Sequence, residues 1–216
     1  MTALTRRGLF GLLALTVFTF TSPQFAAHAA EGSDVIGKVA KLQKPAYAMQ
    51  DAIPRRLSVD SDIQLGDIIS TGKGARLKIE LNDGTDVTLG ERTHFVMQEF
   101  IMSNSQNNAV MRLLEGAFKV TSGKIMTLAN ANMTVQTNTA TIGIRGTTVW
   151  GGSLDGEFEV ALLGGKGIFV ETKGGRVDIS TINDGTKILN ANSSPTTPIP
   201  WPMKKVSRAM ATVSFE

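Results

Sequence analysis

The chain contains no cysteine in 216 residues. That excludes a disulfide scaffold, a thiolate metal site and a lipid-bearing cysteine. Histidine is nearly as scarce, with two residues, and only His94 lies beyond the first 30 positions. One histidine supplies neither a metal ligand set nor a base with partners of its own, and no serine stands in a nucleophile-elbow context. His94, between Thr93 and Phe95, reads as an ordinary strand residue. Aromatics make up 6% of the chain, with one tyrosine and two tryptophans, so sugar-stacking platforms are sparse. Neither charge sign dominates: 22 basic residues face 19 acidic ones. No basic cluster is interleaved with aromatics, which argues against nucleic acid as a partner. No recognisable acid–base, nucleophile or metal constellation remains, and the chain reads as non-catalytic, with no cofactor.

What is present begins with a leader. Arg6 and Arg7 precede an apolar run from Gly8 to Phe20, and Ala27-His28-Ala29 offers small residues for cleavage before Ala30. The run is short for a membrane span, which needs about 20 residues. Residues 1–29 are therefore expected to be a signal peptide cleaved after Ala29, using Ala27 and Ala29. Thr5-Arg6-Arg7-Gly8-Leu9-Phe10 also resembles a twin-arginine signal, so both that route and the general secretory route stay open. Either one delivers the chain to the periplasm. Loss of the leader removes two basic residues and no acidic one, lowering the formal net charge from +3 to +1.

The remainder is dominated by period-2 patterning and glycine turns. Ala75, Leu77, Ile79 and Leu81 alternate with Arg76, Lys78 and Glu80, as in a strand with one solvated face. Asn82-Asp83-Gly84 is turn chemistry, and Thr85–Leu89 returns as the partner strand. Further strands are expected at 93–102, 110–114, 117–121, 133–137, 158–163, 167–172 and 176–180. Spacings of about 8 to 12 residues indicate an all-β domain. It reads as a stack of short strands and hairpins, solenoid-like or prism-like, with a sandwich as the alternative architecture. Gly72-Lys73-Gly74 and Gly164-Gly165-Lys166-Gly167 lack P-loop spacing and read as hairpin turns. Asp60, Asp62 and Asp67 are close in sequence, but no glutamate closes a calcium loop, and Asp60-Ser61-Asp62 reads as a polar turn.

Residues 103–108 read as a polar loop. The expected domain limits are 30–189 for the β domain and 190–216 for a Pro/Ser/Thr-rich connector plus C-terminal segment. Within that segment Met203, Val206, Met210 and Val213 recur at helical spacing, so a short helix over 204–213 is expected, packed on the sheet edge.

The most informative stretch is TATIGIRGTTVW, residues 139–150. It reads as one strand containing two glycines, with Thr139, Thr141, Gly143, Arg145 and Thr147 on one face. Gly143 and Gly146 inside a strand indicate a bulge, a corner or a closely packed backbone. The fixed cation of Arg145 needs an acceptor: a carboxylate, carbonyls or a bound partner. A structural bend with a satisfied arginine is the favoured reading, and removal of a buried Arg145 is then expected to unfold the domain. A recognition site built on Thr141, Gly143, Arg145, Gly146 and Thr147 is the alternative.

Thr137, Thr139, Ala140, Thr141, Arg145, Gly146 and Thr147 match T-x-T-A-T-x-x-x-x-R-G-T, the pattern typical of FecR-domain proteins. The resemblance extends upstream in the family's order, through Gly66-Asp67 with Thr71-Gly72, Asn82-Asp83-Gly84-Thr85 with Leu89-Gly90, and LLEGAFKVTSGK at 113–124. Together these phrases cover about residues 35–152. The resemblance implies an exported interaction module in envelope signalling or sensing. FecR proteins typically sit in the inner membrane, read a receptor outside and control a sigma factor inside. Here the apolar run starts almost at residue 1, so the expectation is narrower: a periplasmic β module binding an envelope protein. A scaffold that binds cell-wall or surface polymer through exposed strand faces and edges is the alternative.

Overall fold

The computed structural model describes residues 35–216, and the leader expected over 1–29, with Ala27 and Ala29, lies outside the described residues. The chain runs through β1 (Val35–Gln43), β2 (Ala46–Gln50), β3 (Ile53–Arg56), β4 (Asp62–Gln64), β5 (Ile68–Thr71) and β6 (Arg76–Leu81). It continues through β7 (Asp86–Leu89), β8 (His94–Met102), β9 (Asn107–Glu115) and β10 (Phe118–Thr121), then a 3-10 turn at Lys124–Thr127. Next come β11 (Ala131–Gln136), β12 (Thr141–Ile144), β13 (Thr147–Ser153), β14 (Phe158–Gly165), β15 (Ile168–Thr172) and β16 (Gly175–Ile179). The last elements are β17 (Asp184–Ile188), β18 (Ile199–Pro200) and α1 (Met203–Ala211). No helix among the described residues is long and apolar enough to cross a membrane.

The all-β expectation holds, and the two architectures considered for it merge. One nine-stranded sheet has the order β18-β17-β14-β13-β10-β7-β6-β1-β4; the other has β16-β15-β12-β11-β9-β8-β5-β2-β3. Both orders climb almost steadily with the sequence. From β6 onward the chain mostly lays a strand pair in one sheet, then crosses to the other, so the sheets grow together in one direction. Pairing is antiparallel except between β9 and β11.

Alternation places the core between the sheets. Leu77, Ile79 and Leu81 of β6 point inward, while Arg76, Lys78 and Glu80 point outward. Phe95, Met97, Met111 and Leu113 fill the opposing face. The Phe95 and Phe118 rings, one from each sheet, meet at 6.4 Å between centroids. Burial of apolar area on this scale replaces the covalent staples the composition denies.

Several connections differ from expectation. Gly72–Gly74 and Gly164–Gly167 are not hairpin turns: each carries the chain from one sheet to the other. Gly165 takes φ +92°, and a Cβ there would collide with the Gly146 carbonyl and Thr147. The corner is thus a point where two backbones pack directly. The loop expected at 103–108 is confined to 103–106, because buried Asn107 already lies in β9 and donates its side-chain N–H to the Ala129 carbonyl. Within the connector expected to open the 190–216 segment, Ile199–Pro200 add a short edge strand to β17 and Trp201 is buried. The helix forms, but on the outer face of the first sheet and not at its edge. There Trp150, Ala161 and Trp201 offer an apolar patch that takes up Val206, Ala209 and Val213.

Candidate functional site

The signature stretch is not one strand. Thr141–Ile144 belongs to the second sheet and Thr147–Ser153 to the first. Arg145-Gly146 is the corner between them, with Gly146 at φ +67°. Two-residue alternation cannot survive such a corner. Thr141 and Gly143 therefore stay on the outer face of the second sheet, whereas Thr147 is buried. Its N–H donates to Ser122 Oγ at 2.9 Å, and its hydroxyl donates to the Gly164 carbonyl. The expected strip of hydroxyls around a guanidinium loses Thr147. The preceding Thr137–Ala140 segment is a turn held by one side chain: Thr137 Oγ1 accepts the N–H of Thr139 at 3.2 Å and of Ala140 at 2.9 Å. Most of the threonine pattern is therefore turn and corner chemistry.

Arg145 is satisfied, as the favoured reading holds, but it is exposed and not buried. Its side chain is 51% accessible, and Nη2 stands 2.8 Å from Asp178 Oδ1. Arg176 shares the same carboxylate, with Nη2 3.2 Å from Oδ1 and Nε 3.3 Å from Oδ2. Register explains the convergence. Gly143 on β12, Phe169 on β15 and Asp178 on β16 are direct cross-strand partners on one outward row. Arg176 precedes Asp178 by two residues and Arg145 follows Gly143 by two, so both cations flank the Phe169 ring. The Arg176 guanidinium carbon lies 3.8 Å and the Arg145 carbon 5.6 Å from its centroid. The hydrogen bond and charge of Arg176, then the charge of Arg145, hold the Asp178 carboxyl below the usual carboxylate range.

The arrangement is a preorganised surface patch: two planar cations, an aromatic ring and one shared carboxylate. It suits recognition of planar or anionic groups. Of the five residues expected at the site, Thr141, Gly143 and Arg145 line or support this patch, Gly146 turns the chain beneath it, and Thr147 lies in the other sheet. Sequence reasoning missed Phe169, Arg176 and Asp178. A signal existed for Phe169, which holds an outward strand position between inward Ile168 and Val170, where a large apolar residue is out of place.

A second concavity, of about 640 Å³, opens at the opposite rim, where the end of α1 meets the corners near Arg92 and Gly116. Arg76, Arg92 and Arg208 line it, opposed by Glu91 and Glu115. The Gly74 N–H donates to Glu91 at 2.6 Å and holds its carboxyl below the usual carboxylate range, with the charges of Arg76, Arg92 and Lys73 adding to the effect. His94 is half-exposed in β8, with Nδ1 3.7 Å from Glu115. The three early aspartates separate: Asp67 turns inward onto Arg55, while Asp60 and Asp62 stay at the surface.

The family model described as FecR protein matches residues 67–166. No curated protein matches the chain by sequence. Two crystal structures from Parabacteroides distasonis, each described as a proposed anti-sigma factor, are similar in fold. Their TM-scores are 0.52 and 0.51, at 17% and 16% identity over 64% of this chain. The match spans 61% of those chains. The family match contains Gly143 and Arg145 and stops at Lys166, short of Phe169, Arg176 and Asp178. From Asp67 to Lys166, β5 to β14, the chain carries a region that matches the FecR protein family.

Proposed function

We propose that this chain is an exported, non-catalytic interaction module of the cell envelope that acts in signalling or sensing by holding a protein partner. The observation that carries this is the FecR match with its signature arginine exposed in the Arg145–Phe169–Arg176–Asp178 patch. The fold shared with proposed anti-sigma factors supports a regulatory role. The leader residues Arg6, Arg7, Ala27 and Ala29 support a periplasmic address. In this reading residues 30–189 form the binding module and 190–216 a segment fastened onto it.

The test is crosslinking in living cells followed by capture of the chain, with wild type and Arg145→Ala compared. A discrete protein crosslinked by the wild type and lost from the folded variant supports the proposal. Absence of any discrete protein, with co-sedimentation on purified peptidoglycan or surface polysaccharide, overturns it in favour of a scaffold.

A further inference from the structure

The two sheets leave four edge strands, and three are blunted. β4 has three residues. β18 has two, one of them Pro200. β3 carries Pro54 at an outward position: Gln50 and Ile53 close a two-residue hairpin as a bonded pair, so the adjacent Met49–Pro54 pair has its backbone groups facing away. These are the usual protections of a sheet edge.

β16 has none of them. It is five residues long, GRVDI, without proline. Thr172 and Gly175 close its hairpin, so Gly175, Val177 and Ile179 bond to β15. The N–H and C=O groups of Arg176 and Asp178 therefore face outward, and among the described residues neither backbone has a partner. Val177, half-buried, faces the core side, and the charged pair faces the outer side. Exposed apolar residues gather at the same end of the molecule: Ile182 after β16, Leu189 after β17 and Ile199 in β18 are 52%, 57% and 59% accessible.

We infer that β16 is the interface of a symmetric dimer, in which it pairs antiparallel with β16 of a second copy about Val177. The strand is complementary to itself in this register. Placing Val177 opposite Val177 sets Arg176 opposite Asp178 of the other copy, twice, with the outward N–H and C=O groups of both residues bonding across the join. A shift by one residue would turn bonded backbone groups toward free ones and oppose unlike faces. The two-fold axis runs through the sheet, so both outer faces lie on the same side and the two Arg145–Phe169–Arg176 patches become one continuous surface. The same axis brings the β18 ends of the first sheets toward each other, covering Ile199 and its apolar neighbours. Self-complementary strand and apolar end coincide, which is what an isologous contact requires.

The test is sedimentation equilibrium over micromolar to sub-millimolar concentration, on protein expressed from the full-length gene and purified as the cell delivers it. Wild type is expected to dimerise. Arg176→Asp and Asp178→Arg each set like charges opposite one another at both pairs, and each alone is expected to weaken the dimer about 30-fold or more. Mixed in equal amounts, the two variants regain opposite charges at both pairs and are expected to form a heterodimer near wild-type affinity. Circular dichroism confirms that each is folded. Wild type monomeric throughout, or a mixture no better associated than its components, overturns the inference.

Discussion

The ring of Phe169 occupies the space that any side chain on Gly143 would need. A Cβ built at Gly143 falls inside the ring edge, against Cε1, Cζ and Cδ1. The glycine that looks like a weakness within β12 is the seat of the aromatic, and the aromatic carries the two arginines. Gly143→Ala must therefore push the ring aside. Overpacking of this kind costs about 1–3 kcal/mol. Urea unfolding should show that loss, and Phe169→Ala in the same background should recover part of it. Additive losses in the double variant would show that the two positions are not coupled.

Arg145→Ala is expected to leave the domain folded. The guanidinium is half exposed and its carboxylate keeps Arg176 at 3.2 Å, so nothing charged is left buried. Exposed ion pairs are worth about 0–1 kcal/mol, and the urea midpoint should move by no more than that. A loss several times larger would make Arg145 a structural anchor after all. It would also deprive the crosslinking comparison of its folded control.

How much of this was legible follows from the range of the interactions. The β6–β7 hairpin was readable because its alternation, its Asn82-Asp83-Gly84 turn and its partner all lie within 14 residues. The corner at Arg145-Gly146 was half readable. Glycine announced a break, but a bulge, a corner and a close backbone contact share that signal, and the choice depended on which sheet received Thr147. The same ambiguity turned Gly72–Gly74 and Gly164–Gly167 from expected hairpins into crossings. The partner of Arg145 was not readable: Asp178 lies 33 residues on, and only the β12–β15–β16 register brings it near. The helix was visible in its period, whereas its seat on Trp150 was not, because period shows that a face is apolar and not what covers it.

Acid should weaken the Asp178 node in a defined direction. The hydrogen bond and charge of Arg176, then the charge of Arg145, hold this carboxyl below the 3.8 expected of it in an unfolded chain. A depressed carboxylate contributes stability that is present above the unfolded value and is lost as pH falls through the folded one. The stability difference between wild type and Asp178→Asn, measured on dilute protein, should be constant above about pH 5 and shrink below about pH 4. A difference that grows on acidification would contradict the assignment.

α1 is seated beside a buried ion pair. Glu159 on β14 is fully buried, with Oε2 2.7 Å from Lys205 Nζ and Oε1 3.4 Å from Lys187 Nζ. Lys205 also stands 4.3 Å over the Trp201 ring, while Trp150 Nε1 donates to Thr212 Oγ1 at 3.0 Å. Lys205→Met removes the nearer cation and leaves a buried carboxylate with one longer, half-exposed partner. Losing one partner of a buried pair costs about 3–5 kcal/mol, and Lys187 should hold the effect near the lower end. Adding Glu159→Gln removes the stranded charge and should restore part of that loss. The chain's two tryptophans, Trp150 and Trp201, both lie under the helix, so its release should shift their emission to the red before the sheets unfold. If the double variant is no more stable than Lys205→Met alone, the apolar contacts of Val206, Ala209 and Val213 hold the helix and the ion pair does not.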